Sequence, residues 1–437
     1  MKTLLYFEWL HFSRNLARPI ALTLFVIAAL FGIYNGVNHY QDRLDQISTT
    51  EQSTAELHQT AEEWFSAGIA GPADRPWVDI NTPFWSMWYA GHFLVDTPKP
   101  AMIYNIGQSA EMGYYKRVSM WTTAFDDDLT AEIANAELSR MGELDFSFAW
   151  LYLMPLLLIV LTYHTKGLEY DLGFIPLLNV QQPSLNTWLL KRLLILGFLM
   201  VSVLTLLMLV PVLFLGGSFP IVGMLPIWFV YLFYLLIWMM VAFFVIRFGK
   251  GQSDQALKMI GIWLLLAVAI PGIVNQYVLL KKPVGLMMSL IEASREGREK
   301  IYELPEDQVK AQALQLLPDM QKTAGALDDS LMTQDMLNGA YRLVLNRYNS
   351  GISDQVLQDQ EVRNQLIVST YWYNPVTGFH NWLNRLTNSG HEANLAFRRK
   401  IQKAGEQINR QLVLDEWSDK KINQSLFDDY KKILEVL

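Results

Sequence analysis

Apolar and polar residues are sorted along this chain into long blocks with sharp edges. Apolar runs occupy residues 19–37, 145–163, 188–215, 222–246 and 259–280. About 20 predominantly apolar residues cross the hydrocarbon layer as a helix, so each run, with its flanks, is predicted to be a transmembrane span. Pro271-Gly272 interrupts the fifth run, and a kink is expected there because proline removes a backbone donor. Between the second and third runs lies a short polar segment, 164–187. It holds Lys166, Glu169, Asp171 and Gly173, the apolar patch Phe174-Ile175-Pro176-Leu177-Leu178, and Pro183, with Lys191 and Arg192 opening the next span.

The polar blocks read as helices. Residues 41–70 keep a helical apolar stripe (Leu44, Ile47, Leu57, Ala61, Phe65) until Gly71, Pro72 and Pro76 break it. Trp, Tyr, Gly and Pro then crowd 77–120, including Phe84-Trp85-Ser86-Met87-Trp88-Tyr89, and a short helix is predicted at 131–141. That aromatic cluster reads either as a surface for lipid or apolar cargo, or as ordinary packing. Gly216-Gly217-Ser218-Phe219-Pro220 is predicted to be a tight turn. After the fifth run, helices are expected at 286–302, 306–324, 333–349, 354–368, 376–386 and 391–412.

The first 18 residues are expected to form an amphipathic helix lying in the membrane interface, with Trp9 and Phe12 on its apolar side and Arg14 on its basic edge. The alternative is that they are the wet start of span one. The fold class is thus mainly α: a polytopic membrane protein with five visible spans and two mostly helical extracytoplasmic domains, 38–144 and 281–437.

Charge sets the orientation. Arg14, Arg18, Lys166, Lys191, Arg192, Arg247, Lys250 and Lys258 share one side, which the positive-inside rule makes cytoplasmic, while Lys281 and Lys282 fall on the other. In 38–144 the acids outnumber the bases more than twofold, as suits a segment on the far side. A net charge of −7 gives no support for nucleic-acid binding, and the absence of cysteine removes disulfides and thiolate chemistry. Gly249-Lys250-Gly251 lacks the spacing of a phosphate-binding loop, and His391-Glu392 lacks the second histidine of a helical zinc site. The spans are nearly free of ionisable residues, which argues against a proton relay; Asp145, at the mouth of span two, reads as an interface residue. Neither a metal site nor catalysis by this chain alone is expected.

The run Lys166-Gly167-Leu168-Glu169-Tyr170-Asp171-Leu172-Gly173, followed by Leu177-Leu178 and by Trp188 to Lys191, resembles permeases of the ABC-2 type. One departure is Phe174, where these permeases commonly carry threonine. A narrower likeness, to the branch with large extracytoplasmic insertions after spans one and five, rests on Gly142-Glu143-Leu144-Asp145-Phe146, Leu153-Met154-Pro155-Leu156-Leu157 and Trp372-Tyr373-Asn374-Pro375. The resemblance implies six spans, and no sixth apolar run precedes Leu437, so the expectation is that the sequence stops short of it.

The resemblance further implies a bacterial inner membrane and no cofactor on this chain, with ATP and Mg bound by separate cytoplasmic ATPase subunits. It implies a second permease chain, identical or paralogous. Glu169, Asp171, Gly173, Phe174, Leu177 and Leu178 would contact the ATPase, together with the helix carrying Trp9, Phe12 and Arg14. Glu169 and Asp171 also suit a plainer role, capping a short helix. Three functions follow as expectations: export or extraction of a substrate; transmission of motion to outer domains and a periplasmic partner without transport; or a non-transporting scaffold or sensor.

Overall fold

The computed structural model describes residues 2–109, 112–125, 144–181, 184–215, 221–282, 286–328 and 331–434. The helix expected at 131–141 and the turn expected at 216–220 lie outside them. Among the described residues the chain is mainly α, and its one two-stranded sheet pairs β1 (Phe93–Val95) with β2 (Tyr115–Arg117) antiparallel. Five helical segments are long and apolar enough to cross a membrane: Ala17–Ala67, Phe146–Asp171, Leu185–Leu215, Val222–Phe248 and Gln252–Lys281. This is a membrane protein with five candidate spans.

Span one does not end where its apolar run ends. After α1 (Lys2–Arg14), helix α2 runs unbroken from Ala17 to Ala67, 51 residues, or about 76 Å at 1.5 Å per residue. No proline or turn signal intervenes between the apolar run and the amphipathic stripe, so the backbone has no reason to stop. It stops at Gly68, whose φ of 69° closes the helix in the left-handed conformation, with Ile69 N–H returning to the Trp64 carbonyl at 3.1 Å.

Two spans carry a wide, π-type turn immediately before a proline: Ala149–Leu153 before Pro155, and Leu265–Ala269 before Pro271. The kink expected at Pro271 thus takes the form of a local unwinding that moves the ring away from the preceding turn. In span two, the Leu151 carbonyl, four residues before Pro155, accepts the Tyr234 hydroxyl of span four at 2.6 Å.

The spans pack around Phe146, Trp150, Met200, Leu204, Tyr231 and Tyr234. Gly36 brings span one against the Pro100–Tyr104 turn so closely that a Cβ there would sit 2.0 Å from the Ile103 carbonyl oxygen. Asp145 caps span two, accepting from Phe148 N–H at 2.7 Å and from Ile106 N–H at 3.0 Å. It therefore ties span two to the loop after that turn.

The segments after spans one and five meet in one core. Ala61, Val78, Ile80 and Met87 of the first pack with Ala404, Ile408, Leu412 and Phe427 of the second. Of the aromatic cluster at 84–89, Phe84, Trp85 and Tyr89 belong to this core, which is the packing reading of those residues, while Trp88 is exposed. Asn105 donates to Asn384 at 2.8 Å and to Ser389 at 2.9 Å, adding a buried polar seam between the segments. The helices expected at 333–349 and 354–368 are one helix, Gln334–Val368. Gly351 sits within it facing open space, a tolerated cost of about 1 kcal/mol rather than a break. Conversely, the helix expected at 306–324 stops at Leu316, where Pro318 forces a tighter turn.

Candidate coupling site at the 164–187 turn

The turn after span two folds as two short helices, Gly167–Asp171 and Ile175–Gln181, hinged at Gly173. Gly173 has φ 73°, a conformation that glycine adopts without strain. Three polar side chains lash this turn to the ends of three other spans.

Lys166 itself adopts φ 61°, and its ammonium group donates to the carbonyls of Ile246 at 3.1 Å, Arg247 at 2.5 Å and Gly249 at 3.3 Å. Those are the carbonyls that the end of span four leaves without helical partners, and a cation there also suits the helix dipole. Asp171 does the converse for span five. Its Oδ2 accepts from Gln252 N–H at 3.2 Å and from the Gln252 amide at 3.1 Å. Close approach is built in: a Cβ on Gly251 would meet Asp171 Oδ1 at 2.5 Å, and one on Gly167 would meet Gln252 N at 2.9 Å.

The third tether is buried. Arg192, at the mouth of span three, pairs through Nε with Glu8 of α1 and through Nη1 with Glu169 of the turn, the latter at 2.6 Å. Its guanidinium also lies over the Trp188 ring, 4.9 Å from the centroid. Glu8 and Arg192 are buried and Glu169 nearly so, so this one cation fixes α1, the turn and span three together. Among the described residues the second oxygen of Glu169 has no hydrogen-bond partner. Asn15, between α1 and α2, adds a contact to His164 at 2.9 Å.

Of the residues singled out from the sequence, Glu169 therefore faces inward, to Arg192, while Asp171 stays exposed and reaches sideways to Gln252. Leu178 packs with Trp188, Leu189 and Ile246. Phe174 and Leu177 are exposed, and with Tyr170, Leu172 and Val180 they leave an uncovered apolar ridge. On α1, Trp9 and Arg14 are exposed, and Phe12 is half-buried against the core of the spans, its ring 6.2 Å from that of Trp9. Glu8 was not evident from the sequence. Its one signal is that it is the lone acid in the first 18 residues, surrounded by apolar and basic neighbours.

Compared with protein-family models, with curated proteins and with solved structures, the chain matches none.

Proposed function

We propose that this chain is the membrane subunit of an ATP-driven transporter of the ABC-2 permease kind, acting beside a second permease chain and above separate cytoplasmic ATPase subunits that hold ATP and Mg. The observation that carries the reading is the Arg192 junction. A turn that is to pass force from a soluble motor into a membrane needs rigid links to several spans at once. Here it is tied to spans three, four and five and to α1 by charged or polar side chains. The exposed ridge of Tyr170, Leu172, Phe174, Leu177 and Val180 then supplies the docking surface. In this reading Glu169 and Asp171 hold the ridge in shape, and the apolar side chains make the contact.

The test is purification of the intact complex from membranes. A stoichiometric ATPase is expected, and Phe174→Asp with Leu177→Asp is expected to lose it while the chain stays membrane-inserted. Purification with no ATPase would favour the scaffold or sensor, and retention by the double variant would remove the ridge from the contact.

A second reading, transmission of motion without transport, is favoured by α2. One continuous helix runs from the spans into the core shared by the two outer segments, so tilting of span one moves that core directly.

A further inference from the structure

The Pro375–Thr387 helix is not among the candidate spans, yet its apolar side belongs to the membrane part of the molecule. Phe379 and Leu383 sit in the same core as Phe146, Trp150 and Tyr231 of the spans. The Phe379 ring lies 5.0 Å from that of Tyr234 and 5.7 Å from that of Phe233, both in span four. The helix also touches the wide turn of span five at Leu265–Ala269. It therefore lies across spans two, four and five, against the wide turn near the start of span two.

Beside it, large aromatics are uncovered. Trp372 is 93% exposed, and Tyr373 and Trp382 are about half exposed. The Trp382 ring lies 6.1 Å from that of Phe379, which meets exposed Phe233 of span four; Phe229 of span four and Leu265 and Val268 of span five are exposed as well. Those residues are on helices that meet acyl chains if they span. The opposite edge of the helix is polar. Asn381, Asn384, Arg385 and Asn388 line a cavity of about 260 Å³, and Arg385 pairs with Glu392 at 2.5 Å. An apolar base, a rim of Trp and Tyr, and a wet polar edge are the three layers met on passing from acyl chain to headgroup to water.

We infer that the corner between the Gln334–Val368 and Pro375–Thr387 helices is an interfacial anchor, with Trp372, Tyr373 and Trp382 seated in the headgroup layer of the lipid bilayer. The occupant of this surface is lipid because Trp382 is linked through Phe379 to exposed Phe233 on span four. The inference rests on the spans alone and stands apart from any ATPase. Its consequence is that the outer core is held at a fixed height on the membrane from the far end of the fold, as well as through α2.

The chain has no cysteine, so one introduced cysteine gives a unique label. Trp372→Cys carries a nitroxide in full-length protein reconstituted into phosphatidylcholine–phosphatidylglycerol vesicles. Phe233→Cys serves as the lipid control and exposed Lys421→Cys as the water control. Collision with oxygen and with a water-soluble nickel chelate is expected to place residue 372 between the two controls, with oxygen favoured over nickel relative to Lys421→Cys. Trp382→Cys repeats the reading from the helix itself and serves alone if the first variant misfolds. Nickel access equal to that of Lys421→Cys would overturn the inference. An immobile label shielded from both reagents would also overturn it, since a second protein surface would then cover the corner.

Discussion

Arg192 and Glu169 meet at 2.6 Å, and the same guanidinium holds Glu8, so a single cation at the mouth of span three joins two acids from chain segments far apart in sequence. Removing the cation leaves buried Glu8 and part-buried Glu169 without their ion-pair partner. Breaking a buried pair by deleting one partner costs about 3–5 kcal/mol. Arg192→Ala is therefore expected to lower the thermal midpoint in detergent markedly. Glu169→Gln, which keeps an acceptor and leaves the Glu8 pair intact, is expected to lower it much less. Equal midpoints for the two variants would show that the junction bears no load.

Tyr234→Phe tests the repair of span two. It removes the hydroxyl that serves the Leu151 carbonyl beside the wide turn before Pro155. Side-chain hydrogen bonds between membrane helices are worth about 1 kcal/mol. A loss of that order is expected by equilibrium unfolding, with the same apparent fold by circular dichroism.

Close helix approach gives a matched pair of variants. A Cβ at Gly36 would strike the Ile103 carbonyl, whereas one at Gly261 in span five meets nothing within 4 Å. Gly36→Val is expected to destabilise the protein severely, through forced displacement of the Pro100–Tyr104 turn. Gly261→Val is expected to leave the thermal midpoint unchanged.

The segment after span five carries a pH-sensitive acid. Glu416 is buried, and burial lifts its pKa from the ordinary carboxylate value to about 7, even though Arg342 lies 2.6 Å away and opposes the shift. The folded state then holds a proton that the unfolded state releases at about 4.5. Its contribution to stability is full below about pH 4.5 and is lost as pH rises toward 7. His92 works the other way: burial depresses its pKa to about 4, so its contribution is lost as pH falls below about 6.5. Comparing wild type with Glu416→Gln isolates the acid. The variant is expected to gain stability relative to wild type between pH 5 and 7, measured by thermal melts across that window.

The five spans were legible in the sequence because hydropathy blocks of their length have one structural outcome in a bilayer. The junctions were not. Nothing in the periodicity around residue 37 or Gly351 distinguishes two helices from one, because a continuing helix needs no signal and its neighbours decide whether it bends. The 164–187 turn stood out by its acids, glycine and apolar patch, yet the direction in which each side chain points was hidden. Glu169 looks like a surface charge until Arg192, brought close by span packing, claims it, whereas Asp171 remains at the surface and binds Gln252 there. The aromatic cluster at 84–89 left packing and a lipid surface both open; the shared core takes Phe84, Trp85 and Tyr89, while Trp88 stays exposed, as do Trp372, Tyr373 and Trp382.

The proposed function requires the 164–187 turn and the segments after spans one and five to face opposite sides of the membrane. Single cysteines at Phe174 and Lys421, labelled with a membrane-impermeant maleimide in sealed right-side-out vesicles before and after permeabilisation, measure this directly. Lys421→Cys is expected to react at once and Phe174→Cys only after permeabilisation. Reaction of both from the same side would contradict it.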